Sequence, residues 1–213
     1  MKRLITAILL VFGCVFQALA GEMTLVKDGE AQCVIVVPKR QANVAWYAAG
    51  ELARHIRLIT GAEVAVLPDD AELPADKIRV LVGDTALTRK LGMDPGRQLK
   101  NQEMIVRFVD DKTLVLVGKD LHLDLAEGQS LEEFAPAALD AVISHQNGWC
   151  ATAYATYELL EKYCGVRWLH PGDLGVCYEP RKTLTVETRD TDRMPSFLWR
   201  TTPGGGGIGM WPQ

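Results

Sequence analysis

The chain has 213 residues, 23 Lys and Arg against 27 Asp and Glu, a formal charge of −4, and 48% hydrophobic residues. That length supports a domain with a substantial core, and mild acidity without a basic run gives a nucleic-acid partner no electrostatic support. No apolar stretch reaches the roughly 20 residues that a membrane-spanning helix needs.

Lys2 and Arg3 precede an apolar run over residues 4–16, and Ala18-Leu19-Ala20 has the small-x-small form of a cleavage site. Residues 1–20 are therefore predicted to be a secretory signal peptide, with Gly21 the first mature residue and the product exported to the periplasm or beyond. A lipoprotein signal acylated at Cys14 fits less well, because Phe12 is a poor match and the residues after Cys14 stay apolar. The other cysteines are Cys33, Cys150, Cys164 and Cys177. Export permits one or two disulfides, but the spacing is not that of a small disulfide scaffold. Cys150 and Cys164 lie about 21 Å apart along one predicted helix and cannot pair with each other. Buried thiols are expected, with any other pairing left open.

Residues 23–27 and 33–37 read as strands around the Asp28-Gly29 turn, a candidate hairpin. A helix is predicted over 43–60. Ala45, Ala48, Ala49, Leu52, Ile56 and Ile59 form its buried stripe, Glu51, Arg54 and Arg57 lie off it, Asn43 caps the start and Gly61 the end. Residues 64–67 form a short strand, 68–76 a polar loop, and 78–82 an apolar strand suited to burial on both faces. A short helix over 85–91 closes at Gly92. Residues 104–108 and 113–117 flank Asp110-Asp111 as the clearest hairpin. The acidic and Ala-rich stretch 120–147 reads as an excursion.

A second long helix opens at Asn147 or Gly148, places Ala153, Tyr157, Leu160 and Cys164 on one face, and stops at Gly165. Val166-Arg167-Trp168-Leu169 reads as a short buried strand ended by the Pro171-Gly172 turn, and residues 183–187 as the final strand. The order indicates a single α+β domain, a mixed sheet packed against two main helices. It spans 21–187, with 188–213 a linker followed by the start of a missing barrel or a flexible tail.

Several of these pieces together resemble a known family. They are Glu51-Leu52 and Ile59-Thr60-Gly61-Ala62 in the first helix, the strand ending Leu81-Val82-Gly83, and the hairpin ending Val117-Gly118. Tyr154-Ala155, Tyr157, Leu160-Glu161, Gly165-Val166-Arg167-Trp168 and Pro171-Gly172 complete the set. The pattern resembles the N-terminal accessory domain of family 67 alpha-glucuronidases and of family 20 beta-hexosaminidase-like glycoside hydrolases. The resemblance implies a non-catalytic domain of a secreted glycoside hydrolase acting in glycan degradation. Its partners would be a (β/α)8 barrel of the same polypeptide and carbohydrate, and such a barrel of about 250 residues is absent here. A stand-alone secreted carbohydrate-binding or interaction module is the alternative. The resemblance carries over one substrate-binding residue, Arg200, and implies no catalytic residue, metal or cofactor within this chain.

Candidate chemistry elsewhere is weighed against plainer roles. Asp69-Asp70, Asp110-Asp111, Glu132-Glu133 and Glu158 with Glu161 are the carboxylate pairs. Turns, loops and helix faces explain them better than the spaced acid and nucleophile of a glycosidase. His145, Cys150, Cys164, His170 and Cys177 supply metal-ligand types without a zinc-site spacing, and His122 with Asp124 is weaker still. The glycines at 204–207 and 209 lack the lysine and following helix of a phosphate loop. Trp46 and Trp168 are expected in the core, and Arg167 either bridges domains or has a local structural role.

Overall fold

The computed structural model describes residues 21–39, 43–100, 102–120, 150–170 and 172–196. Asn43 as a side-chain cap, the 120–147 excursion beyond Asp120, and Arg200 lie outside what is described.

Strand β1 (Glu22–Lys27) and the two-residue β2 (Glu30–Ala31) pair antiparallel, Lys27 opposite Glu30. Asp28 (φ 53°) and Gly29 (φ 85°) make the turn between them, as a two-residue hairpin loop requires. The expected partner in this hairpin, β3 (Cys33–Val37), instead leaves for a second sheet. All five of its residues are buried, so it needs neighbours on both faces and both edges, which a surface hairpin does not supply.

The main sheet also contains β4 (Val66–Pro68), β5 (Ile78–Val82), β6 (Met104–Asp110), β7 (Thr113–Gly118) and β11 (Thr191–Arg193), in the order β11-β6-β7-β5-β3-β4. Strands β7, β5, β3 and β4 run parallel, and β6 and β11 add antiparallel pairs at one edge. The link from β3 to its parallel neighbour β4 is α1 (Asn43–Thr60), the helix predicted over those same residues. Its predicted apolar stripe is no more than 5% exposed throughout. Helix α4 (Ala151–Lys162) lies beside it. The short α2 (Ala86–Lys90) and α3 (Pro95–Gln98) complete the described helices. The molecule is a single α+β domain with a mixed sheet against two main helices.

Side chains alternate across the central strands with period two. Ile35, Val37, Val80, Val82, Leu114 and Leu116 face α1 and α4, and join the large core with Leu52, Ile56, Leu159 and Leu160. Val34, Val36, Leu81, Val115 and Val117 face the other way, under Leu67, Leu73, Leu87, Met93 and Ile105.

The end of β7 meets the start of α4 closely. A Cβ on Gly118 would lie 2.3 Å from the Ala151 side chain and 2.4 Å from its carbonyl carbon, while the Gly118 amide donates to Thr152 Oγ1 (3.1 Å). Asp120 then accepts from the Thr152 amide (2.8 Å) in the first turn of α4, the place for a carboxylate at a helix start. Burial pushes the Asp120 carboxyl up to about 7, against the Thr152 and Ala151 bonds that favour its ionised form. A raised folded-state value means stability that is complete below about pH 4 and lost as pH rises through about 7. Relative to Asp120→Asn, which keeps an acceptor for Thr152, the wild type is expected to lose on the order of 1–2 kcal/mol between pH 4 and 8, a reduced share of the shift because residue 120 as a whole is only part-buried although its carboxyl is enclosed. Denaturant titrations of both proteins across that range check this, and parallel pH curves would contradict it.

Two expectations need correction. The strand β10 (Leu184–Glu187) pairs with β1 as the third strand of the small sheet, but it is not the last. Within the segment read as a charged linker, β11 pairs with β6, held by Arg107 to Asp190 (3.0 Å) and Asp192 (3.1 Å) and by Arg193 to Glu158 (3.0 Å). An edge strand fixed by ladder bonds and ion pairs carries no apolar pattern to read. The run at 166–169 is not a buried strand either. Only Val166 is fully buried. Strand β8 (Arg167–Trp168) pairs with β9 (Val176–Cys177) as a surface hairpin, and Leu169 is 78% exposed.

Candidate functional site

The β8–β9 hairpin sits over α1 and α4 and leaves a groove of about 540 Å³ beneath it. Glu51 and Arg54 of α1, Tyr157 of α4, and Trp168, His170 and Asp173 of the hairpin region line it. Tyr47, Glu51, Arg54 and His55 fall at i, i+4, i+7 and i+8 on α1, so they share one side of that helix. Arg54 pairs with Asp173 and straps the hairpin to α1.

A chain of hydroxyls underlies the groove. Tyr157 Oη donates to Glu51 Oε2 (3.2 Å), and Tyr47 Oη lies 2.6 Å from Tyr157 Oη. A carboxylate only accepts, so the proton order runs from Tyr47 through Tyr157 to Glu51. Burial, then the neighbouring Tyr47 and Glu51, pushes the Tyr157 hydroxyl up; burial raises Tyr47 likewise. Both phenols stay neutral and act as fixed donors. Trp168 stands edge-on to Tyr157 (5.2 Å between ring centres) and to the fully buried His55 (5.4 Å). His55 Nδ1 donates to the Glu51 carbonyl (2.8 Å), which places the ring proton on Nδ1, and Nε2 has no partner among the described residues.

The groove therefore offers an aromatic wall, a carboxylate in a fixed orientation, and an ion pair at its rim. No serine or cysteine lines it, so an acyl-enzyme mechanism has no candidate nucleophile among these described residues.

Most residues singled out in the sequence do other work. Asp69 accepts from the amides of Lys39 (3.2 Å) and Ala86 (2.6 Å), Asp70 pairs with Lys39, and Asp110 accepts from the Lys112 amide across its turn (2.8 Å). Glu158 is buried between Lys162 (2.5 Å) and Arg193 (3.0 Å). Arg167 donates to the carbonyls of Glu161 (2.5 Å) and Val166 (2.8 Å), a local structural role. Trp46 packs against the core, its indole N–H donating to the Pro38 carbonyl (2.9 Å), whereas Trp168 is 37% exposed at the groove. Cys33, Cys150 and Cys164 are buried, their thiols pushed up by burial to about 12, 11 and 12, and Cys177 is exposed. No group of three or more metal-ligating side chains occurs among the described residues. His122, Asp124, Glu132, Glu133, His145 and Arg200 lie outside them.

Of the groove residues, the sequence had singled out only Trp168 and His170 as carriers of possible chemistry. Glu51 and Arg54 were assigned to the solvent side of α1, and Tyr157 to the apolar stripe of the second helix. The available signal was the alignment of Tyr47, Glu51 and Arg54 on one side of α1, a polar and aromatic stripe beside the apolar one.

No family model matches the chain. A peptidyl-tRNA hydrolase from Methylocella silvestris is 38% identical over 68 residues, covering 32% of this chain and 33% of that protein. The chain thus matches about a third of the length of this curated relative. These findings overturn the resemblance to glycoside hydrolase accessory domains, and with it the assignment to glycan degradation. The physical reason lies in the motifs quoted. Gly61, Gly83 and Gly165 take positive φ (80°, 82° and 78°) where helices and strands end, and the apolar runs ending at Val82 and Val117 are buried strands. Any α/β chain needs such residues at such places.

Proposed function

We propose that this chain is a ligand-recognition domain, and that the groove under the β8–β9 hairpin binds a small organic molecule with an apolar face. The observation that supports this is the pairing of the half-exposed Trp168 with the oriented Tyr157–Glu51 carboxylate in one concavity. Small-molecule sites combine an aromatic wall with a few fixed polar groups in this way. A thermal-shift panel of small aromatic and aliphatic compounds is expected to raise the melting temperature of the wild type, and Trp168→Ala is expected to abolish the shift. Equal shifts for both proteins would remove the groove as the site.

A second reading, hydrolysis of the ester that joins a peptide to tRNA, is supported by the match to the Methylocella silvestris enzyme. The formal charge of −4 works against it, because a tRNA substrate rewards a basic surface. Release of peptide from peptidyl-tRNA by the purified chain would favour this reading over the first.

Export remains a proposal supported by the charged, apolar and small-residue segments of residues 1–20. The mass of the protein recovered from an expressing bacterium checks it, with cleavage after Ala20 the expected result and an uncleaved chain the contrary one.

A further inference from the structure

We infer that the groove selects a primary ammonium carried on an apolar body, an inference that rests on the ligand-recognition reading above. Two carboxylates, Glu51 and Asp173, face one guanidinium there. Asp173 and Arg54 neutralise each other in their ion pair. The side-chain partners of Glu51 are the Tyr157 hydroxyl and the His55 ring, whose Nδ1 lies 3.9 Å from Oε2. Glu51 accepts from the Tyr157 hydroxyl, and His55 directs its Nδ1 proton to the Glu51 backbone carbonyl. Among the described residues no lysine or arginine pairs with Glu51, although its side chain is only 19% exposed.

A mostly covered carboxylate, oriented by two successive phenols and with no lysine or arginine on it, favours a cationic ligand at the open side of the groove. The surrounding walls favour an organic cation over an inorganic one. Trp168 and Tyr157 present aromatic surface that attracts an ammonium and covers an attached apolar group, and the site lacks the several oxygen ligands that a hard metal ion requires. An anion could approach only by displacing Asp173 from Arg54 while remaining near Glu51.

Three probes of one shape separate the terms: phenethylammonium, 2-phenylethanol and 3-phenylpropanoate, titrated calorimetrically into the full chain at constant ionic strength. The Trp168 indole resonance, assigned through Trp168→Phe, reports whether a probe enters the groove. Phenethylammonium is expected to bind about tenfold tighter than the alcohol, with the propanoate weakest. Glu51→Gln should bring the ammonium within about twofold of the alcohol and leave the alcohol unchanged. Arg54→Gln, which removes the competing cation, keeps Glu51 and retains a hydrogen-bond donor for Asp173 to hold the hairpin, should tighten the ammonium further. It keeps the inference testable if Glu51→Gln does not fold. Equal binding of all three probes at Trp168 would overturn the charge selection and leave the groove as the site. No response at Trp168 to any probe would overturn both.

Discussion

Gly118→Val is expected to lower stability by about 4 kcal/mol, a fall of roughly 10 °C in melting temperature for a chain of this size. The Gly118 position allows no side chain. An added Cβ would sit 2.3 Å from the Ala151 Cβ and 2.8 Å from its Cα, and these belong to the first residue of α4, not to a flexible side-chain tip. Relief requires α4 to move away from β7. That movement would break the bond from the Gly118 amide to Thr152 and the Asp120 cap on the Thr152 amide together. It would also shift Tyr157, two turns along the same helix, away from Glu51. Calorimetry of the variant checks the stability, and a melting temperature within about 2 °C of the wild type would mean that α4 does not start against β7.

Leu52→Ala is expected to cost about 3 kcal/mol, whereas Leu174→Ala changes stability by less than about 0.5 kcal/mol. The two leucines lie at opposite extremes. Leu52 is 0% exposed on the face of α1 that packs against the sheet, and Leu174 is 100% exposed in the hairpin loop. Removing Leu52 leaves a cavity between Ala48, Ile56 and the central strands that rigid backbones cannot close. Chemical denaturation of both variants tests the contrast. Equal losses would contradict the placement of the hairpin on the surface.

How far the fold could be read follows from which elements are driven by apolar pattern. Helix α1 was legible to the residue because six buried positions recur on one face and Gly61 stops it. Strands β6 and β7 were legible because two β-branched and apolar runs flank a polar turn, with Asp110 accepting from Lys112. Strand β11 was not, since Thr191, Asp192 and Arg193 hold an edge through backbone pairing and ion pairs, and neither has a period. The β1–β3 hairpin failed for a related reason. Turn chemistry at Asp28-Gly29 fixes where the chain reverses, but the choice between a two-residue β2 and the longer β3 is made by the tertiary burial of Val34 and Val36.

The candidate site was less legible than the fold, because it is assembled across distance. Tyr47 and Tyr157 are 110 positions apart, and Arg54 and Asp173 are 119 apart. Within α1, Glu51 and Arg54 have the pattern of an ordinary solvated face. Only the return of the β8–β9 hairpin over them makes a concavity. The same hairpin accounts for the misreading of Trp168: it lies between Val166 and Leu169 in a short apolar stretch, yet its ring closes a surface groove and does not fill the core.

We propose that the groove under the β8–β9 hairpin is where the protein meets its ligand. The most direct measurement is a nitrogen-proton correlation spectrum of the labelled chain during a titration with phenethylammonium. If the claim holds, the Trp168 indole signal and the backbone signals of Glu51, Arg54 and Tyr157 move together and saturate, while those of the sheet edge at Thr191 and Asp192 stay fixed. Shifts confined to other surfaces, or a spectrum unchanged at saturating probe, would contradict it.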